Sequence, residues 1–271
     1  MYMILTSVEK QRLKTKYGTW ALVTGATSGI GLELAEQLAS AGLNLILSSR
    51  NEQQLNNTRL QMLRRHDVEI MIVKADMSDA SAIDQLVLRV QHLDIGLVVL
   101  AAGFGTSGLF KDSSVHTEIN MLRVNCESVL SLTHYYAQRF IARAGGGIIL
   151  LSSIVAFQGV PYAANYAATK AYVQSLAEAL AVELKPLGVD ILAAAPGPVQ
   201  TGFGARAHMT MGKALRPSEI GVPILKALGR KNTVLPGRLT KLLVYALSTL
   251  PRFMKIQVMK KVMSGMTSKH S

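Results

Sequence analysis

The chain has 271 residues, of which 49% are apolar and 17% charged, so it can bury a large core and lacks the composition of a disordered protein. A single cysteine, Cys126, excludes a disulfide framework, and the six histidines never fall at metal-ligand spacing. The net charge of +12 sits wholly in residues 204–271, where 13 Lys/Arg meet one acid, Glu219, while residues 1–203 balance 16 against 16.

In chain order, apolar runs predict strands at Trp20–Val23, Asn44–Ser48, Glu69–Val73, Leu97–Leu100, Gly147–Leu151 and Val189–Ala194, with a short one near Thr233–Leu235. These runs lack polar alternation, which marks strands buried on both faces of a parallel sheet. Stretches with three- and four-residue apolar steps lie between them, such as Ile30, Leu34, Leu38 and Ala41. The alternation predicts an α/β fold: a doubly wound, mostly parallel Rossmann sheet of about seven strands with helices on both faces. A long helix is expected from His116 to Arg143 and another from Ala164 to the Lys185-Pro186-Leu187-Gly188 stop. Residues Gly197–Pro217 show no period and read as a long binding loop. The whole of 1–271 is expected to be one dinucleotide-binding catalytic domain. It divides into an extension (1–17), a Rossmann core (18–203) and a substrate loop with a basic C-terminal segment (204–271).

The strand at Trp20–Val23 runs into Thr24-Gly25-Ala26-Thr27-Ser28-Gly29-Ile30-Gly31 and then a helix. Glycines there let the turn close and bring backbone amides and a helix N-terminus against a pyrophosphate. The second strand ends in Ser49 and Arg50 with no acid to hold a ribose 2′-hydroxyl, so a 2′-phosphate is expected: NADP(H) is favoured and NAD(H) is the alternative. Asp76 and Met77 after the third strand are candidate adenine neighbours, although an Asp there also opens a turn.

Tyr166 and Lys170 stand four residues apart on one helix face. A phenol titrating near 10 is a poor proton shuttle at neutral pH. An ammonium about 4 Å away, at an effective dielectric of about 20, favours its anion by roughly 4 kcal/mol, or about three pKa units. Ser153 closes the fifth strand at a carboxyl end, where open α/β sheets bind ligands. Asn125 lies inside the preceding helix, where a short amide is unfavourable without a partner. Pro196-Gly197-Pro198-Val199-Gln200-Thr201 follows the sixth strand.

In this order and spacing, Thr24–Gly31, Asn125, Ser153, Tyr166, Lys170 and Pro196-Gly197 resemble the short-chain dehydrogenase/reductase family of the classical single-domain type, over Gly18 to Thr201. Lys16-Tyr17-Gly18-Thr19-Trp20 and Leu93-Asp94-Ile95-Gly96 are similar to its ketoacyl-CoA and 17β-hydroxysteroid reductase branch and bacterial relatives. The resemblance implies an oxidoreductase interconverting a ketone or aldehyde and an alcohol. Tyr166 would be the general acid and base, and Ser153 would hold the carbonyl. Lys170 would lower the tyrosine pKa and bind ribose, with Asn125 holding a water beside it. Val199 and Thr201 would meet the carboxamide, and Ala102 and Gly103 would border the cofactor. The family's Asn-Asn-Ala-Gly is replaced by Leu100-Ala101-Ala102-Gly103. The resemblance also implies a homodimer or homotetramer. A non-catalytic dinucleotide sensor or scaffold docking through the basic tail is the alternative.

In the tail, Leu239, Leu243, Ala246 and Leu250 form an apolar helix face with Leu242 and Leu247 alongside, and Ile256, Met259, Met263 and Met266 repeat the pattern. Two readings stay open: a helix covering the substrate pocket or a subunit interface, and peripheral attachment of 239–271 to anionic membrane. No aromatic-and-basic stacking pattern supports nucleic-acid binding. The start of the chain lacks an apolar export segment, so a cytoplasmic location is expected, membrane-peripheral on the second of those readings.

Overall fold

Seven strands pair side by side, all parallel, in the order β3-β2-β1-β4-β5-β6-β7. They are β1 (Trp20–Thr24), β2 (Asn44–Ser49), β3 (Ile70–Lys74), β4 (Ile95–Leu100), β5 (Gly146–Leu151), β6 (Val189–Ala194) and β7 (Thr233–Val234). The computed structural model describes residues 3–207, 209, 210, 212 and 214–267. Met1, Tyr2, His208, Met211, Lys213 and the last four residues lie outside them.

Helices α1 (Ser7–Tyr17), α2 (Gly29–Ser40), α3 (Glu52–Leu63), α4 (Ala80–Val90), α5 (Val115–Leu122), α6 (Ser128–Ala142), α7 (Ala164–Glu183), α8 (Phe203–Arg206), α9 (Pro217–Ala227), α10 (Arg238–Ser248) and α11 (Arg252–Thr267) follow the chain. Successive strand residues point to opposite faces, and both faces are covered. Val23, Leu45 and Leu47 pack against Leu13, Leu34, Leu55 and Leu225 on one side. Leu22, Ile46 and Val98 pack against Leu86, Leu132 and Val173 on the other. Two-sided burial explains why the strands read as unbroken apolar runs.

The stretch before β1 is helical and firmly docked. Tyr17 donates its hydroxyl hydrogen to Asp190 at 2.8 Å, and Lys16 and Lys185 pair with the same carboxylate. Arg12 reaches the carbonyls of Leu225 and Leu228, capping the far end of α9.

Two expectations change and a third is narrowed. The helix expected over 116–143 is two helices, α5 and α6, joined by one π-helical turn at Arg123–Glu127 that contains Asn125. The extra residue per turn bulges the backbone there, as such turns do at functional sites. The long loop 197–217 is tied by a bridge between Val199 and Leu215 and holds α8. The third concerns the tail, for which the sequence leaves covering and membrane attachment both open: in α10 the apolar stripe faces solvent, Leu239, Leu242 and Leu243 being exposed while Thr240 is buried.

Candidate active site

The sheet order reverses between β1 and β4, and a cleft opens there at the strands' carboxyl ends, as in other doubly wound sheets. At its centre the turn after β1 needs glycine. Gly25 has φ +65°, and a Cβ on it would stand 2.9 Å from the Ala102 backbone. Gly29, at φ +58°, would put a Cβ 2.9 Å from the Thr201 side chain. Ser28 caps α2 without a side-chain hydrogen bond, so the first amides of the helix receive no oxygen from their cap residue. Such amides and the positive end of the helix suit a pyrophosphate.

From this turn a cavity of about 1210 Å³ extends over the ends of β2 and β3. Thr27, Ser28, Ser49, Arg50, Asp76 and Met77, all expected near a cofactor, line it. Lys74 and Arg123 line it as well, and sequence reasoning missed them. Lys74 pairs in register with Ser49 and Arg50 follows it in the chain, so both cations line the same end of the cavity. Asp76 accepts hydrogen bonds from the Ser78 amide and hydroxyl, so one of its oxygens opens a turn. The glycine cradle, the uncapped helix and this cationic end together fit a dinucleotide carrying an extra phosphate.

Two predicted residues stand outside the cleft lining. The Thr24 hydroxyl is buried and accepts from the amides of Ala101 and Ala102 at 3.1 and 3.2 Å. It stitches the end of β1 to the chain leaving β4, the stretch that lacks the family's asparagines. Asn125 is also buried. Its side-chain oxygen accepts from the Phe104 amide at 3.1 Å, and its amide group donates to the Phe104 carbonyl and the Thr169 hydroxyl. The side chain is thus committed to pinning the loop after β4 onto α7.

At the inner end of the cleft, Ser153, Tyr166 and Lys170 come together with Gly103, Pro196, Gly197, Val199 and Thr201. Ser153 starts a short 3₁₀ turn, and the Ile154 amide donates to the Pro196 carbonyl at 3.1 Å, tying the ends of β5 and β6. Tyr166 projects from α7 between Gly105 and Phe203, whose ring centroid lies 5.2 Å from its own. Burial pushes the Tyr166 phenol up to about 12, with the Ser153 hydroxyl pulling the other way. Burial pulls Lys170 down to about 8. Its ammonium donates to the Leu151 carbonyl at 2.7 Å and lies 5.8 Å from the centroid of the Tyr166 ring. The phenol therefore rises through burial, against the lowering expected from spacing alone. The lysine is spent on a carbonyl rather than on the phenol oxygen.

The Gly25–Gly31 turn, Ser153, Tyr166 and Lys170 all line one smaller, mostly apolar cavity of about 240 Å³, which runs on past Tyr166. Val155, Phe203 and Met209 form its wall, and α11 closes it with Met259, Met263 and Met266. Of the two readings of the tail, pocket covering is realised by α11. A Cβ on Gly197 would stand 2.8 Å from the Thr240 hydroxyl, so α10 rests directly on the cofactor-side loop.

A parallel sheet opening at its switch point onto a glycine-lined helix N-terminus defines the dinucleotide-binding Rossmann class. Residues 19–211 match the sequence profile described as short chain dehydrogenase. A 7beta-hydroxysteroid dehydrogenase of Collinsella aerofaciens is 29% identical over 84% of this chain and 90% of its own. A very-long-chain 3-oxoacyl-CoA reductase-like protein of Arabidopsis thaliana is 35% identical over 70% of this chain and 62% of its own. A solved structure of a 7beta-hydroxysteroid dehydrogenase superposes with a TM-score of 0.84 at 28% identity, covering 91% of this chain and 98% of the other. The chain belongs to the short-chain dehydrogenase/reductase family, and it is an oxidoreductase. Other structures sharing the fold are complexed with NADPH, 5-hydroxy-NADP or NADH, and NAD(P)(H) is the cofactor class of the family.

Proposed function

We propose that this protein is an NADP(H)-dependent oxidoreductase that interconverts a small to medium, apolar ketone or aldehyde and its alcohol, with Tyr166 as general acid and base. One observation carries the reading. Ser153, Tyr166 and Lys170 meet where a long polar cleft joins a small apolar cavity. When bound in the cleft, the nicotinamide supplies the hydride and, once oxidised, a positive ring.

The chain's own residues supply the rest. The Ser153 hydroxyl donates to the substrate oxygen and fixes its direction. A phenol titrating near 12 keeps its proton at neutral pH, the form that reduction needs. Tyr166 gives that proton to the oxygen as negative charge develops there, and in oxidation the phenolate takes it back. Lys170 titrates near 8 and stands 5.8 Å from the Tyr166 ring centroid, so its charged form would steady the phenolate once its ammonium turns from the Leu151 carbonyl toward the phenol oxygen. Arg50, Ser49 and Lys74 would hold a 2′-phosphate, and Asn125 keeps the loop after β4 in register with α7. The methionine wall from α11 excludes water and adapts its shape to an apolar substrate.

NADPH oxidation tests this with a panel of ketones that includes a 7-oxo steroid and a 3-oxoacyl thioester. Turnover by the wild type and its loss in Tyr166→Phe, with NADPH affinity kept, supports the proposal. Tight NADPH binding without turnover of any ketone would instead leave a dinucleotide sensor or scaffold.

A further inference from the structure

The consecutive helices α10 and α11 each have two unlike sides. Inward, Thr240 meets Gly197, and Met259 and Met263 close the apolar cavity. Outward, Leu239, Leu242 and Tyr245 on α10 are 51%, 65% and 65% exposed, and Phe253 on α11 is 67% exposed. Leu243 joins the same stripe. Leu239, Leu242, Leu243 and Ala246 follow one another at helical steps on a face that meets no other element, so this is a continuous apolar stripe.

The charge around the stripe is of one sign. Arg238, Lys241, Arg252, Lys255, Lys260 and Lys261 lie on the two helices, and no Asp or Glu follows Glu219 in the chain. Helices with exposed Leu, Tyr and Phe among cations and no acids fit the interface of an anionic bilayer. They do not fit a second copy of the same face, since two such surfaces would bring six cations against six. No helix among the described residues is long and apolar enough to cross a membrane, so the contact would be peripheral.

We propose that the outer face of α10 and α11 docks on an anionic phospholipid surface. The inner face of α11 alone closes the apolar cavity, so docking through α10 and α11 would set that cavity near the bilayer, where a lipophilic substrate is most concentrated. This goes beyond the redox reading and stands independently of it.

The test is flotation of the full-length protein with vesicles of phosphatidylcholine containing 30% phosphatidylglycerol, and with vesicles of phosphatidylcholine alone. The wild type is expected to float with the anionic vesicles, to be released by 0.5 M NaCl, and to stay behind with the neutral ones. Leu239→Ser combined with Leu242→Ser is expected to weaken binding at least tenfold, and Lys241→Glu with Lys260→Glu to abolish it. Both pairs should keep the wild-type circular dichroism spectrum and urea unfolding midpoint, which shows that they fold. Equal flotation with neutral vesicles, or unchanged binding by either pair, would overturn the proposal. So would loss of a dimer or tetramer in the Leu239/Leu242 variant by light scattering, which would assign the face to another copy of this chain.

Discussion

Replacing Lys170 by Met keeps the unbranched stem and removes the ammonium, so it separates the cost of burying the cation from packing. Burial lowers this group from about 10.5 to about 8, and at about 1.4 kcal/mol per pH unit the charged form is about 3 kcal/mol less favourable in the fold than in the unfolded chain. The variant also strips the Leu151 carbonyl of its 2.7 Å hydrogen bond, a loss of about 1.5–3 kcal/mol while the lysine is charged and about 1 kcal/mol when it is neutral. Lys170→Met should therefore be about 1 kcal/mol more stable than the wild type near pH 6.5. Below pH 8 the lysine is charged in both states and the full penalty applies. Between 8 and about 10.5 the unfolded chain still holds the proton that the native state releases, so wild-type stability rises with pH. The advantage of the variant shrinks across that window and ends as a deficit of about 1 kcal/mol, that of the lost hydrogen bond. Urea unfolding without cofactor at pH 6.5, 9 and 10.5 reads this directly. A variant less stable at pH 6.5, or a difference that ignores pH, would refute the reasoning.

Arg50→Ala combined with Lys74→Ala should weaken NADPH by about 100-fold and NADH by less than threefold, measured by fluorescence titration; charge-assisted hydrogen bonds of about 1.5–3 kcal/mol each set this scale. Gly105→Val should lower kcat at least tenfold with NADPH affinity unchanged, because a Cβ there would lie 2.9 Å from the Tyr166 ring and 2.7 Å from Phe203. Asn125→Ala removes three hydrogen bonds between the loop after β4 and α7, and should cost about 2 kcal/mol in urea unfolding.

The strands were legible because a parallel sheet buried on both faces writes itself as apolar runs, and Val189–Ala194 coincides residue for residue with β6. The turn at Gly25–Gly31 and the Tyr166–Lys170 pair were legible because their chemistry depends on short local spacing. What escaped depends on distant pairing or on direction. Lys74 joins the phosphate end only through its register with Ser49, and β3 itself carries no sign of that. The π-helical turn at Asn125 inserts one residue into a helix whose apolar period continues on either side. Thr24 looked like part of the glycine turn, whereas its hydroxyl serves the chain leaving β4. In α10 the apolar period was correct, but amphipathicity alone does not say which side meets the core. Here the methionines of α11 took the pocket, leaving the leucines of α10 outside.

The central claim is that Tyr166 hands a proton to the substrate oxygen beside a bound dinucleotide. Single-turnover reduction of an active ketone by the NADPH-loaded protein, followed by loss of cofactor absorbance, tests it in wild type and Tyr166→Phe. The variant is expected to react about 10² to 10⁴ more slowly, with NADPH affinity within twofold. A variant that keeps more than a tenth of the wild-type rate would contradict it.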